Sequence, residues 1–201
     1  MKVEVWGTVI SPMSMARPCT MVKSAAVVWW TPMIHDENPF VDAPDQRDPI
    51  RRFRGRLTAP VTIVTSGTAE SRTGLTVSSL NVIEGTPGVV EMVVGPTSDL
   101  WDIVADSGRF VIHICRSTDR ALAEVFAGLR PSPGGIFAGL EVTDTEFGPV
   151  IETLGDRAHC RFTGREEVGH SGMVSGEIDH TDVGDLVDPL VYFRGAYTGL
   201  G

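Results

Sequence analysis

The middle of this chain constrains its fold more than any other part. Between Pro60 and Val94, β-branched residues dominate and Gly/Pro clusters interrupt them. That pattern excludes a helix and predicts short antiparallel strands joined by tight turns. The run 61–65 (Val-Thr-Ile-Val-Thr) reads as one strand, 74–83 (Gly-Leu-Thr-Val-Ser-Ser-Leu-Asn-Val-Ile) as a second, and 89–94 (Val-Val-Glu-Met-Val-Val) as a third. Thr62, Thr65, Thr76, Ser78 and Ser79 place hydroxyls inside these strands. Thr76 and Ser78 are two residues apart and share a face, which a strand facing only a core would not need. That face is either an ordinary polar surface or a wall of hydrogen-bonding groups turned towards a flat, polar-edged ligand.

The frequency of chain breakers extends this reading to the whole sequence. With 22 Gly and 13 Pro in 201 residues, the expectation is a single, mainly β domain with few helices. The formal net charge is -9 and the chain has no long basic run, which argues against nucleic acid or a membrane surface as partner. The 3 cysteines, Cys19, Cys115 and Cys160, form no CxxC pair and have no metal spacing to histidine. Free thiols in a reducing, cytoplasmic setting and no metal site are expected. Residues 1–48 fit the rest poorly. They contain Met13, Met15, Met21 and Met33, scattered Pro, and an apolar run at 25–30 too short to cross a membrane. They read as a flexible leader with Met33 an alternative start, followed by a folded domain over 49–201.

The basic segment 50–57 predicts a short helix packing on the β domain with a solvated charged face. At 98–107, Ser98 suits an N-cap, Leu100, Ile103 and Val104 form one face, and Gly108 suits the C-terminal cap. The start of that helix is either simply capped by Ser98 or is a place for an anion, where free N–H groups and the helix dipole converge. The run 109–115 reads as a strand in which His113 belongs to the core or sheet face. Residues 118–129 predict a helix burying Ala121, Leu122, Val125 and Phe126. Strands follow over 157–165, over the second half of 169–178, and over 189–197. His159 and Cys160 are adjacent in a strand and therefore face opposite ways, so they do not form a catalytic pair. There is no GxGxxG, Walker loop, HExxH or GxSxG.

Several short segments together resemble the flavin reductase-like, FMN-binding split-barrel family. They are Pro60-Val61-Thr62-Ile63-Val64-Thr65, Gly74-Leu75-Thr76-Val77-Ser78-Ser79, Asp106-Ser107-Gly108-Arg109-Phe110, Phe126-Ala127-Gly128, Phe137-Ala138-Gly139, Ser175-Gly176-Glu177-Ile178 and Pro189-Leu190-Val191-Tyr192-Phe193-Arg194-Gly195. The resemblance covers about Arg52 to Tyr197. It implies a six-stranded antiparallel split β-barrel with a few flanking helices, acting as a homodimer. It implies NAD(P)H-dependent reduction of FMN, or alternatively FAD, with NADH or NADPH as co-substrate and a monooxygenase as a partner that receives reduced flavin.

By the same resemblance, Thr76, Val77, Ser78 and Ser79 line the flavin, and Gly95, Thr97 and Ser98 contact its phosphate or ribityl chain. No catalytic side chain is expected, because hydride passes from nicotinamide to flavin. The chain departs from the family pattern twice. The family's Asp-His-Thr becomes Gly169-His170-Ser171-Gly172, with the histidine one position early, which leaves His170 as the nicotinamide contact to test. A Glu84-Gly85-Thr86-Pro87-Gly88 turn stands where the family has Pro-Pro. Two alternatives follow: an FMN-binding carrier or redox sensor without turnover, and a pyridoxamine-phosphate-oxidase-type enzyme, for which Arg72 would supply the phosphate grip.

Overall fold

The computed structural model describes residues 48–185 and 187–200. The leader and the alternative start at Met33 therefore fall, except for Asp48, outside the described residues. In chain order the elements are α1 (Pro49–Arg54), β1 (Ala59–Pro60), β2 (Thr62–Ser66), β3 (Thr73–Val77), β4 (Leu80–Ile83), β5 (Gly88–Val94) and α2 (Asp99–Ser107). Then come β6 (Arg109–Ile114), a 3-10 turn at Ser117–Asp119, α3 (Arg120–Phe126), β7 (Val142–Thr145) and β8 (Gly148–Ile151). The last are β9 (Arg157–Val168), β10 (Ser171–Asp182), β11 (Val191–Phe193) and β12 (Ala196–Thr198).

The main sheet has 7 strands in the order β3-β2-β6-β9-β10-β5-β4, and every pairing is antiparallel. Its two edge strands, β3 and β4, are consecutive in sequence, with only Ser78 and Ser79 between them. A flat sheet of this size would hold its edges ~29 Å apart. The three peptide links from Val77 to Leu80 span at most ~11 Å. The sheet must therefore curl until its edges nearly meet, giving a half-closed barrel. The expected single strand over 74–83 is one extended run whose first half pairs with β2 and whose second half pairs with β5. Counted as runs, the sheet has the expected six strands. Counted as paired segments it has seven, because a run that passes from one edge to the other must leave the ladder in between.

Two apolar clusters fill the two faces of the sheet. One joins Val64, Val77, Val90, Met92, Phe110, Ile112, Cys160 and Val174 to Leu100, Trp101 and Val104 of α2. The other joins Val61, Ile63, Cys115, Ile151, Leu154 and Leu190 to Ala123 and Phe126 of α3. β2 is buried at all five positions because it lies between them. Gly108 closes α2 with φ 70, the left-handed conformation expected of a C-terminal glycine, and its N–H donates to Val104 O.

Three expectations need correction. The helix over 50–57 does form, but α1 buries no residue, and Ile50 and Phe53 stay exposed. Seating those two side chains would have desolvated the guanidinium groups of Arg51, Arg52 and Arg54 beside them. In α3, Phe126 is buried and Leu122 and Val125 pack half-buried on the core as expected, but Ala121 is exposed and Ala123 takes its place. The 3-10 turn rotates the helix start relative to an ideal helix over 118–129. The run 189–197 is a hairpin rather than one closing strand. Arg194 and Gly195 have φ 53 and 87, a two-residue reversal between β11 and β12, and these two strands form a small sheet with β1. Among the described residues no helix is long and apolar enough to cross a membrane.

Candidate functional site

The break between β3 and β4 organises the candidate site. Ser78 and Ser79 lie outside both ladders and are half-buried. Ser79 stays tied to β5, where Val93 N–H donates to Ser79 O at 2.8 Å. Its hydroxyl accepts from Arg54 Nη2 at 2.8 Å across 25 residues of sequence. The neighbouring pair points inward instead. Val77 is in the core and its carbonyl accepts from Thr62 Oγ1 at 2.8 Å. Thr76 Oγ1 donates to Ala123 O in α3 at 2.7 Å. Of the four strand residues, Ser78 and Ser79 therefore offer side chains outside the core, whereas the Thr76 proton is engaged with a helix carbonyl.

β5 runs straight from Val93 into the Gly95–Ser98 turn and the start of α2. Ser98 N–H and Ser98 Oγ both donate to Gly95 O, at 3.0 and 2.7 Å. Ser98 occupies the N-cap position, but its hydroxyl does not cap the helix amides. Of the two sequence readings of Ser98, simple capping is thus not what the side chain does. Asp99 and Asp102 stand in the first turn, so the charge there is acidic apart from the helix dipole. Gly95 and Thr97 are exposed, and a Cβ added at Gly95 would meet nothing within 4 Å.

The hairpin between β9 and β10 completes this end of the sheet. Gly172 pairs with Val94 on one side and Glu167 on the other, and His170 lies exposed in the connecting turn. Ser78–Ser79, Gly95–Ser98 and the His170 turn are therefore neighbours. Sequence reading missed the packing that holds them there. Trp101 of α2 lies against Gly172 so closely that a Cβ on that glycine would fall 2.2 Å from the indole. Arg165 lies over the ring, 4.7 Å from its centroid, and donates to Trp101 O at 2.5 Å and to Asp102 Oδ1 at 3.2 Å. A glycine inside a strand run was the available signal, since it marks close approach by another group.

The other reactive-looking side chains are structural. His113 is fully buried. Its Nδ1 bonds Ile63 O and its Nε2 accepts from Ile151 N–H, both at 3.1 Å, which fixes a neutral tautomer. Burial pushes its pKa down to about 4. Burial pushes the Cys115 and Cys160 thiols up to about 12, so neither is a nucleophile at neutral pH. Arg72 is ion-paired with Asp144, so the phosphate grip required by the pyridoxamine-phosphate-oxidase reading is already engaged. A cavity of ≈ 280 Å³ at the far end of α2 includes Gly67, Ser107, Arg109 and Phe147, with Arg109 held by Glu146. Among the described residues no cluster of His, Cys, Asp or Glu has the arrangement of a metal site.

Comparison with known proteins agrees with this architecture. A family model described as a flavin reductase like domain matches residues 54–201. The chain is 24% identical over 154 residues to the reductase component of 4-hydroxyphenylacetate 3-monooxygenase from Thermus thermophilus, covering 77% of this chain and 97% of that protein. It is 29% identical over 159 residues to an NADH-dependent FMN reductase from Streptomyces nodosus subsp. asukaensis, covering 77% and 85%. Among solved structures, a flavin reductase domain protein from Arthrobacter sp. FB24 superposes with a TM-score of 0.67 at 21% identity, covering 75% of this chain and 92% of that one.

Proposed function

Because the chain belongs to the flavin reductase-like domain family, we propose that it is an NAD(P)H:flavin oxidoreductase that reduces FMN, with FAD as the alternative flavin. The observation that carries the reading is the meeting of Ser78–Ser79, the Gly95–Ser98 turn and the His170 hairpin at one end of the curled sheet.

The residues there fit a flavin. Ser79 Oγ already accepts from Arg54, so its own proton is available to a ring carbonyl or nitrogen. Ser78 and Ser79 lie outside the paired segments, where their backbone groups can meet a polar edge. The space over Gly95 is open, so a ribityl chain or phosphate can approach the backbone, and Thr97 supplies an exposed hydroxyl beside it. A bound flavin supplies the redox chemistry, accepting two electrons and a proton from the nicotinamide. This chain's part is to orient the ring against Ser78 and Ser79, hold the tail at Gly95, Thr97 and Ser98, and present His170 to the nicotinamide.

Two of the relatives named above are an NADH-dependent FMN reductase and the reductase component of a monooxygenase. They support NADH as hydride donor and delivery of reduced flavin to a monooxygenase. In this reading 49–201 is the catalytic domain, the protein works in the cytoplasm, and a second copy completes the site as a homodimer of split barrels. The test is NADH and NADPH oxidation by the purified protein, with and without FMN or FAD. The expected result is turnover that depends on added flavin. If flavin is retained without any oxidation of either nucleotide, the protein is a flavin carrier or redox sensor instead.

A further inference from the structure

We infer that Arg54 is a positioning residue that favours reduced, anionic flavin over oxidised flavin; this rests on the flavin reading of the site above. Arg54 ends α1, a helix of 6 residues that buries none of its side chains. Its link to the sheet is distinctive: its guanidinium reaches Ser79, one of the two residues at the break between β3 and β4.

Charge pairing divides the arginines of the described residues into two groups. Arg72, Arg109, Arg116, Arg120, Arg130, Arg157, Arg161 and Arg165 each hold a carboxylate. Arg51, Arg52, Arg54, Arg56 and Arg194 hold none among the described residues, although the chain carries a net charge of -9. Arg165, the other arginine near this end of the sheet, is engaged with Trp101 and Asp102. The start of α2 carries Asp99 and Asp102. Of the arginines that hold no carboxylate, Arg54 is the one whose guanidinium is hydrogen-bonded to Ser79; it uses one N–H on the serine and keeps others for a ligand.

Hydride transfer defines the charge that develops there. A neutral oxidised isoalloxazine that takes up two electrons and one proton becomes an anion, with its charge spread over the N1–C2 carbonyl edge. Neutral oxidised ring and neutral dihydronicotinamide would therefore give the anionic reduced ring and the oxidised nicotinamide cation, and no other reactant is needed. A guanidinium hydrogen-bonded to Ser79, the serine proposed above to meet the ring's polar edge, stabilises the anionic product more than the neutral reactant. Its donation to Ser79 Oγ also strengthens the serine as a donor to the ring. Both effects grow as the flavin excludes water from an otherwise exposed pair.

The experiment compares Arg54→Met and Arg54→Lys with the unaltered full-length protein. Binding of FMN and riboflavin is measured in both redox states, anaerobically for the reduced forms. For Arg54→Met, binding of reduced flavin should weaken about tenfold more than binding of oxidised flavin, by the same factor for FMN and riboflavin. That difference corresponds to a bound-flavin potential ~30 mV lower. Arg54→Lys should retain a large part of the difference, because it keeps the charge. A loss confined to FMN and equal in both redox states would assign Arg54 to the phosphate and overturn the inference. Equal affinities in variant and parent would overturn it too. Because α1 buries no side chain, thermal unfolding of both variants should match the parent. Absence of flavin binding by the unaltered protein would instead refute the flavin reading of the site.

Discussion

Gly172→Ala should destabilise the domain by about 1–3 kcal/mol and weaken flavin binding about tenfold, ~1.4 kcal/mol. The added methyl would lie 2.2 Å from one carbon of the Trp101 ring and 2.5 Å from another. The indole cannot yield easily, because Arg165 stacks on it and donates to Trp101 O. What must move is α2, and with it the Gly95–Ser98 turn that leads into it. Gly172 itself is hydrogen-bonded between β5 and β9, so the sheet is the stiffer side of the contact. A double-mutant cycle separates this cause from strand propensity. In a Trp101→Ala background, which has already lost the indole, adding Gly172→Ala should cost almost nothing further. If the alanine costs the same with and without the tryptophan, the contact is not what positions α2. The readouts are the midpoint of thermal unfolding and the affinity for FMN.

The same contact shows where sequence reasoning stopped. The β-branched runs and Gly/Pro turns made the strands of the main sheet legible, and the Gly108 cap made the end of α2 legible, because both are local properties. The division of 74–83 between two edges of one sheet was not legible. It follows from curvature, which only the register of distant strands reveals. Ser79 was legible as a polar strand residue, but its partner Arg54 was read as part of a solvated face. Nothing in the sequence 50–57 says that the last arginine of a six-residue helix reaches across to residue 79. Trp101 was passed over because helix periodicity identified Leu100, Ile103 and Val104 as the buried face. The glycine that admits its ring lies 71 positions further on. Hairpins such as β7–β8 and β11–β12 were missed or merged for a related reason: their turns lack the Asn-Gly or Asp-Gly pairs that announce such reversals.

His113→Leu should cost about 3 kcal/mol at pH 7, a loss of roughly 6–12 °C in unfolding midpoint for a domain of this size. Leucine is close to histidine in volume, so the main loss is polar. Ile151 N–H would face an apolar group in a fully buried site, and Ile63 O would lose the bond to Nδ1. His113 joins β6 to β8 and β2, beside the bond from Thr65 Oγ1 to Pro149 O and the packing of Val111 on Phe147 and Val150. The pH dependence gives a sharper test than the midpoint alone. An unfolded histidine titrates near 6.5, and burial pushes His113 in the folded chain down to about 4. Between those values the unfolded state binds the extra proton, so stability falls as pH falls. The contribution of neutral His113 is complete above pH 6.5 and is lost as pH drops through 4. Leucine carries no proton, so the gap between parent and His113→Leu should narrow by about 2 kcal/mol from pH 7 to pH 5. Denaturant unfolding of both proteins at the two pH values measures it. A gap that stays constant would mean His113 does not resist protonation in the folded state, and its two hydrogen bonds would then need another explanation.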